Sequence, residues 1–153
     1  MAGERMIFVN LPVSDLGASR RFLEALGAVN EPRFTDETAA CMTMSGTIHV
    51  MLLTHDKFRQ FTPRPIADAR SASEVLLCLS CDSRESVDAT VERAVAQGGT
   101  ADPAPKQDYG VMYGRSVADP DGHIWELMWM DPAAAEQGAS AIEQSSLATA
   151  DRH

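Results

Sequence analysis

The chain repeats one order of elements, and this repeat limits its possible folds more than any other feature. Residues 6–54 read as a strand, an amphipathic helix and three short strands, and residues 75–131 give the same order again. Each half ends in a predicted hairpin, at Ser45-Gly46 and at Asp119-Pro120-Asp121-Gly122. Because one βαβββ module alone leaves a sheet face uncovered, two modules must join to build a core. The repeat therefore predicts an α+β fold of two tandem modules.

The length of 153 residues fits one domain, which we expect over residues 1–131. Module one spans residues 6–54, a linker spans residues 55–74, and module two spans residues 75–131. The linker contains Pro63 and Pro65 and forms either a plain connection or a lid, with a short helical turn at residues 56–61. Residues 132–153 are mostly Ala, Ser, Gln and Glu, which bury too little apolar surface to repay ordering. This segment is expected to be a flexible C-terminal tail or a frayed helix.

The two helices are predicted from apolar residues that recur at helical spacing. Asp15 is the candidate N-cap of the first helix, and either Asp82 or Ser83 is that of the second. Glycines follow both helices, as is typical of helix ends. The stripes expected to face the core are Ser19, Phe22, Leu23 and Leu26 in the first helix and Val87, Val91, Ala94 and Val95 in the second.

Charge and composition exclude several functions. The 22 acidic residues outnumber the 13 Lys and Arg, and the net charge of −9 repels nucleic acids and anionic membrane surfaces. No apolar stretch approaches the ~20 residues of a membrane helix, and no apolar leader precedes the first strand, so we expect a cytoplasmic protein. Cys78 and Cys81 form a C-x-x-C pair, but positions three apart on a strand point to opposite faces. Free thiols are expected.

Two segments carry a family resemblance: FVNLPVSDLGASRRFLEALG in module one and YGRSVADPDGHIWELMWMD in module two. They resemble the vicinal-oxygen-chelate superfamily, which includes glyoxalase I, bleomycin-resistance proteins and extradiol dioxygenases. The resemblance covers roughly residues 6–131, and the chain looks most similar to the bacterial group of predicted lactoylglutathione lyases. It implies a curved, half-open mixed sheet around a cleft that binds a small molecule and a divalent metal. It also implies pairing as a homodimer.

The resemblance places the four metal-ligand positions on residues that mostly cannot bind a metal. The first position falls at Phe8, the second at Leu52, or at Val50 with a register error, the third at Leu76 and the fourth at Glu126. Divalent metals need several N, O or S donors, so one carboxylate among three hydrocarbons cannot hold zinc or nickel. We therefore expect no metal cofactor unless ligands come from unexpected positions, and we expect the apolar residues to line a ligand site.

Glu126 and Asn10 are the candidate polar anchors of the cleft. Glu126 lies between Trp125 and Leu127, and strand alternation sends it to the face opposite those two, which are expected to lie in the core with Trp129. It is either a ligand-facing base or a structural carboxylate paired with another group. Asn10 shares a face with Phe8 and either orients a polar ligand or is a core amide bonded to backbone.

A segment of module two combines aromatic and charged residues that suit the rim of a pocket. Its members are Tyr109, Tyr113 and Arg115, separated by glycines. The guanidinium of Arg115 either binds a carboxylate or phosphate of a ligand or forms an internal ion pair with Asp119 or Glu126.

Three functional hypotheses follow from the sequence. The first is a small-molecule-binding protein that lacks the family's metal site, with an apolar cleft around Glu126. The second is a lyase or isomerase of the lactoylglutathione lyase type that uses Glu126 as general base, with or without a divalent metal. The third is a structural role toward a partner protein. The sequence carries no phosphate-binding glycine loop and no G-x-S-x-G motif, so those reaction classes are excluded.

Overall fold

The computed structural model describes residues 3–143 and contains two open sheets, one from each module. The first sheet has the strand order β1-β4-β3-β2, and the second has the order β5-β9-β8-β6 with β7 also paired to β8. This architecture confirms the predicted α+β fold of two tandem modules. The elements are β1 (Ile7–Val13), α1 (Leu16–Ala25), β2 (Val29–Glu31), β3 (Ala39–Thr43), β4 (Ile48–Thr54), α2 (His55–Arg59), β5 (Leu77–Ser80), α3 (Arg84–Ala96), β6 (Thr100–Ala101), β7 (Gln107–Asp108), β8 (Met112–Ala118), β9 (Ile124–Met130) and α4 (Pro132–Gln137).

The sequence predicts strands over residues 29–34 and 100–104 after the two helices, and the structure shortens both. The predicted strand over residues 29–34 ends at Glu31, and Pro32–Phe34 form a 3-10 turn, since Pro32 has no N–H for a sheet and fits the first turn of a helix. In module two, the predicted strand over residues 100–104 is only two residues long, and β7 was not predicted. Pro103 and Pro105 interrupt the ladder between them.

The helix caps lie where the sequence predicts them, and the structure decides between Asp82 and Ser83 as the cap of the second helix. The Asp15 carboxylate accepts a hydrogen bond from the N–H of Ala18 and so begins α1. Ser83, not Asp82, caps α3, because its hydroxyl accepts from the N–H of Ser86 while the Ser86 hydroxyl accepts from the Ser83 N–H. Gly27 follows α1 with φ +105°, a backbone conformation that favours glycine.

One apolar core lies between the helices and the sheets. It contains the α1 residues Phe22 and Leu23 and buried residues of α3 and β9, among them Trp125 and Leu127. Trp129 packs against this core, so the predicted orientation of β9 is confirmed. The predicted α3 stripe is wrong at Val95, which is exposed; Thr90 is buried instead, and its hydroxyl donates to the Ser86 carbonyl.

Polar contacts join the end of β1 in module one to the β8–β9 turn in module two. The Ser14 N–H donates to Oδ1 of Asp121 at 3.0 Å, and Nε2 of His123 donates to the Pro12 carbonyl at 2.8 Å. The linker after α2 contacts the same turn through Arg70, which donates to the Pro120 carbonyl. These bonds fix the two modules against each other at the carboxyl end of β1.

The first part of the predicted tail forms a helix, which is one of the two alternatives that the sequence leaves open. Residues Pro132–Gln137 form α4, whose N-cap is Asp131 and whose Ala134 is buried. Residues 144–153 of the predicted tail lie outside the described residues. Within residues 3–143, no helix has both the length and the apolar character that crossing a membrane requires.

Candidate functional site

Glu126 lines a cavity of about 290 Å³ on the face of the second sheet that points away from the helices. Its neighbours along β9, Trp125 and Leu127, are almost fully buried in the core, so alternation turns Glu126 to the opposite face. We call this space the Glu126 cavity. Its lining comprises Cys78, Ala104, Pro105, Gln107, Met112, Gly114, Arg115, Ser116, Glu126, Leu127 and Met128.

Three neighbouring strands place a thiol, a carboxylate and a hydroxyl side by side in this cavity. Glu126 of β9 is in register with Cys78 of β5 on one side and with Ser116 of β8 on the other. Cys78 is exposed as a residue, but partial desolvation of its thiol raises the thiol pKa, and the Glu126 carboxylate raises it further. Cys78 was not among the predicted site residues, because the pairing of β5 with β9 joins positions 48 residues apart and leaves no local signal.

The segment from Asp102 to Gln107 forms one wall of the Glu126 cavity and is attached to β8. Ala104, Pro105 and Gln107 line the cavity from this side. The Ala104 N–H donates to the Ser116 hydroxyl at 3.1 Å, and the Asp102 N–H donates to the Ser116 carbonyl at 2.8 Å. The hydroxyl of Ser116 therefore already accepts a hydrogen bond from the wall, through the Ala104 N–H.

The side chains of Tyr113 and Arg115 find their partners on the helix side of β8, against α3, although Arg115 also borders the Glu126 cavity. The Arg115 guanidinium binds both carboxylate oxygens of Asp102, at 3.1 and 2.7 Å, and Oδ1 of Asp88 at 3.0 Å. The Tyr113 hydroxyl donates to the same Asp88 oxygen at 2.7 Å. Both residues share their face with Val117, which is buried in the core.

This network fixes the charges of its members. The Asp102 side chain holds the pKa of Arg115 above its ordinary value. The Tyr113 hydroxyl and Arg115 lower the pKa of Asp88, and Arg115 lowers the pKa of Asp102. The internal ion pair expected as the alternative for Arg115 thus exists, but its partners are Asp88 and Asp102 and not Asp119 or Glu126.

Tyr109 lies in the turn between β7 and β8, outside the lining of the Glu126 cavity. Its N–H donates to the Met112 carbonyl at 2.9 Å, and the next residue, Gly110, has φ +79°. The half-buried phenol is therefore part of a tight connection between strands. The predicted rim of Tyr109, Tyr113 and Arg115 does not come together around one cavity.

The outer face of the first sheet carries Phe8 and Asn10, together with their β4 partners His49 and Met51. The Phe8 ring stacks on the His49 ring, with 4.8 Å between centroids and 14° between planes. Leu52 is in register with Leu11 and is buried in the core at 1% exposure. The structure therefore corrects the expected position of Leu52, and equally of Val50, which points to the same core.

The repeat itself identifies the residue of β4 that corresponds to Glu126. Glu126 is in register with Cys78, which lies five residues before the α3 N-cap Ser83. Asn10 lies five residues before the α1 N-cap Asp15, and its partner in β4 is Met51. By this correspondence Met51, and not Leu52, occupies the second of the four metal-ligand positions that the family resemblance implies.

Asn10 and Leu76 are both away from the core. Asn10 is exposed, donates to the Phe8 carbonyl at 3.4 Å, and borders a cavity of about 410 Å³ between β1 and the linker, which Glu126 does not line. It is therefore not a core amide. Leu76 is 54% exposed and immediately precedes β5. Of the predicted residues, Phe8 and Asn10 lie together on the first sheet, whereas Glu126 shares its cavity on the second sheet with only one of them, Arg115.

The side chains at the four family positions do not fit a divalent metal. A phenyl ring, a thioether and an isobutyl group stand at Phe8, Met51 and Leu76, and only Glu126 offers an oxygen. Zinc and nickel sites require three or four N, O or S donors from the protein. Across residues 3–143, no three His, Cys, Asp or Glu side chains come close enough together to hold a metal ion.

Comparisons with known proteins agree with this architecture. The model of the glyoxalase/bleomycin resistance protein/dioxygenase superfamily matches residues 5–127. The hypothetical protein SA1046 from S. aureus is a similar solved structure, with 23% identity, a TM-score of 0.69, and coverage of 84% of this chain and 95% of that one. A search of curated proteins gave no match.

Two further solved structures share the fold. A glyoxalase-related enzyme from Fulvimarina pelagi is 26% identical, with a TM-score of 0.68 and coverage of 82% of this chain and 88% of that one. The fosfomycin resistance protein FosX from Mesorhizobium loti is 18% identical, with a TM-score of 0.62 and coverage of 88% and 99%. With the repeat, the paired sheets and the family match over most of its length, this chain belongs to the glyoxalase/bleomycin resistance protein/dioxygenase superfamily.

Proposed function

We propose that the protein binds a small molecule in the Glu126 cavity and does so without the family's divalent metal. One observation carries this proposal: of the four positions that hold metal ligands in relatives, only Glu126 has a ligand side chain, and it lines a cavity of about 290 Å³. A carboxylate without metal still accepts hydrogen bonds, so it serves as the polar anchor of a ligand site.

The cavity favours a small, largely apolar ligand that carries a hydrogen-bond donor. Met112, Met128 and Pro105 supply apolar surface, and methionine side chains adapt to ligands of different shape. Glu126 accepts a hydrogen bond from a hydroxyl, amide or ammonium group of the ligand. The raised pKa of Cys78 keeps its thiol protonated at neutral pH, so that it adds no second negative charge beside Glu126.

A lyase or isomerase is the second candidate, and the position of Arg115 favours it. Arg115 is bound to Asp88 and Asp102 and does not neutralise Glu126. A carboxylate that is not engaged by an arginine can take a proton from a carbon next to a carbonyl and return it to a neighbouring atom. Such a reaction is of the lactoylglutathione lyase type, here with Glu126 as its base.

Metal analysis and ligand binding of matched variants test the proposal. Metal content is measured by mass spectrometry after purification without chelators, and a library of small carbonyl and hydroxyl compounds is screened by thermal shift and calorimetry. We expect less than one divalent ion per ten chains, and hits whose affinity falls at least about tenfold in Glu126→Gln. Glu92→Gln, an exposed change on α3, is the control and should bind as the wild type does.

Three results would overturn these proposals. One tightly bound divalent ion per chain, restored after chelation, contradicts the metal-free site. Equal affinity of wild type and Glu126→Gln for every hit contradicts the anchor. Full turnover of an identified substrate by Glu126→Gln removes the base and with it the second candidate.

We also predict a cytoplasmic homodimer. Exposed apolar side chains at the start of β1 and just before β5 support a second copy as partner. The four residues are Ile7, Phe8, Val75 and Leu76, each about half exposed. Apolar patches of this kind are typical of surfaces that another molecule covers.

A further inference from the structure

We infer that Arg115 is a positioning residue that, through Asp102, holds the Asp102–Gln107 segment in place as a wall of the Glu126 cavity. The inference depends on the proposed function only in treating that cavity as the ligand site. Arg115 borders the cavity, but its guanidinium is held by Asp88 and Asp102 on the helix side of β8, so we assign it to the wall and not to the ligand.

The first support is that residues on both faces of β8 form hydrogen bonds with the wall. On the helix face, Arg115 holds the Asp102 carboxylate with two hydrogen bonds, and the arginine side chain is only 11% exposed. On the cavity face, the adjacent Ser116 accepts the Ala104 N–H. A partly buried, bidentate arginine pair is stronger and less screened than a fully exposed pair, so it helps to determine where the segment lies.

The second support is the backbone of Asp102. Its φ is +55°, and among residues 3–143 it is the one non-glycine residue with a positive φ. Left-handed backbone is uncommon at residues with a Cβ, although aspartate adopts it more readily than most, and surrounding contacts stabilise it. Here the stabilising contacts are the Arg115 pair and the hydrogen bond from the Asp102 N–H to the Ser116 carbonyl.

A second arginine holds Asp108, the residue that directly follows the wall. Arg84 of α3 binds both oxygens of Asp108, at 3.0 and 2.6 Å, and its guanidinium lies 4.5 Å from the centre of the Tyr113 ring. Between these ends, Pro103 and Pro105 have no N–H to donate. The position of the segment therefore depends on Asp102 at one end, on Ser116, and on β7 at the other end, where Gln107 and Asp108 pair with β8.

Hydrogen exchange of backbone amides tests the inference without any ligand. Asp102→Gly removes the carboxylate while glycine accepts the positive φ, and Arg115→Lys keeps a charge but cannot bind two oxygens at once. In both variants we expect the Asp102 and Ala104 amides to exchange about tenfold faster, while those of Val50 and Leu52 in β4 keep wild-type protection. Arg20→Ala, which removes a surface pair with Glu24, should change neither group.

A chemical probe reports on the cavity itself. Met112 lines the Glu126 cavity and is 8% exposed, whereas Met42 is fully buried in the core. Peroxide should oxidise Met112 several-fold faster in both variants, with Met42 unchanged.

Two outcomes would overturn the inference. Unchanged wall exchange and Met112 oxidation in both variants would show that Arg115 does not hold the wall. A loss of protection that extends equally to β4 and Met42 would show only a general role in stability. Neither result bears on ligand binding that depends on Glu126. Conversely, a failure to find a ligand would not change the amide exchange of the wall or the oxidation of Met112, so each proposal can be contradicted without the other.

Discussion

Cys78 and Glu126 stand side by side on β5 and β9, in register and both lining one cavity. A carboxylate beside a thiol disfavours the thiolate, since two negative charges would share a small space. The cavity therefore holds a protonated thiol at Cys78 and one anionic hydrogen-bond acceptor at Glu126. It does not activate a cysteine nucleophile, which requires positive neighbours.

Replacing Glu126 with Gln should lower the pKa of the Cys78 thiol. Burial, which is the larger cause of the raised pKa, remains in the variant, but the repulsion by the carboxylate is removed. At pH 8 we expect iodoacetamide to modify Cys78 about two- to threefold faster in Glu126→Gln than in wild type, as followed by peptide mass spectrometry. Glu92→Gln is the control, and an unchanged or slower rate at Cys78 would contradict the influence of Glu126.

Leu52 and Met51 should respond differently to truncation, because neighbouring strand positions face opposite sides. Leu52 is 1% exposed in the core, so Leu52→Ala should cost about 2–5 kcal/mol of unfolding free energy. Met51 is only partly buried on the outer face, so Met51→Ala should cost about 1 kcal/mol or less. Urea unfolding of both variants measures the difference. Equal losses would mean that the register of β1 with β4 is not the one described.

The fold was predictable from the sequence because its signals are local. The helix stripe at Phe22 and Leu23, the cap at Asp15 and the turn that ends at Gly122 each depend on residues within one turn or hairpin. The orientation of Glu126 was also predictable, since alternation with Trp125 fixes it.

The environment of the site was less predictable because it depends on pairing between distant strands. A shift of one residue exchanges the two faces of a strand, and the family position assigned to Leu52 was wrong by one residue for this reason. The sequence offers Arg115 a ligand or an ion pair with Asp119 or Glu126, whereas its partners lie on α3 and in the wall segment. Asp102 gives no sign in the sequence of its positive φ.

Asp119 should tolerate replacement by Asn better than by Ala. Its Oδ1 accepts the N–H groups of Asp121 and His123, and an amide oxygen can accept both in the same way. We expect Asp119→Asn to be as stable as wild type at pH 8 or about 1 kcal/mol more stable, because a buried charge is removed. Asp119→Ala should lose about 1–3 kcal/mol, since two N–H groups lose their acceptor.

The pH dependence of stability gives the sign of the Asp119 effect. Burial raises the pKa of Asp119 in the folded state, so the folded protein binds this proton more tightly than the unfolded chain. That contribution is fully present below the unfolded pKa and is lost as pH rises through the folded pKa. Chemical denaturation from pH 4 to 8 should show a flatter profile for Asp119→Asn, and a steeper one would contradict this account.

Leu76 should matter for self-association and not for folding. It is 54% exposed and lies outside the strands, so Leu76→Lys should leave the thermal midpoint unchanged. If the apolar residues beside β1 and β5 form a dimer surface, a charge there should weaken the dimer at least about tenfold. Sedimentation velocity over a concentration series measures this, with Val95→Lys on α3 as an exposed apolar control. A wild-type monomer at every concentration would contradict the homodimer.

Gly99 should be intolerant of a single added methyl group, because it lies where α3 ends against the core. A Cβ there would stand 2.8 Å from Cε2 of Phe22 and 2.9 Å from the Ala94 carbonyl oxygen, closer than van der Waals contact allows. Since Phe22 is fully buried and cannot move freely, Gly99→Ala should cost about 1–3 kcal/mol in urea unfolding. Gly46→Ala is the matched control, because a Cβ at Gly46 would meet no atom within 4 Å. Equal stability of the two variants would mean that the end of α3 is not packed against Phe22.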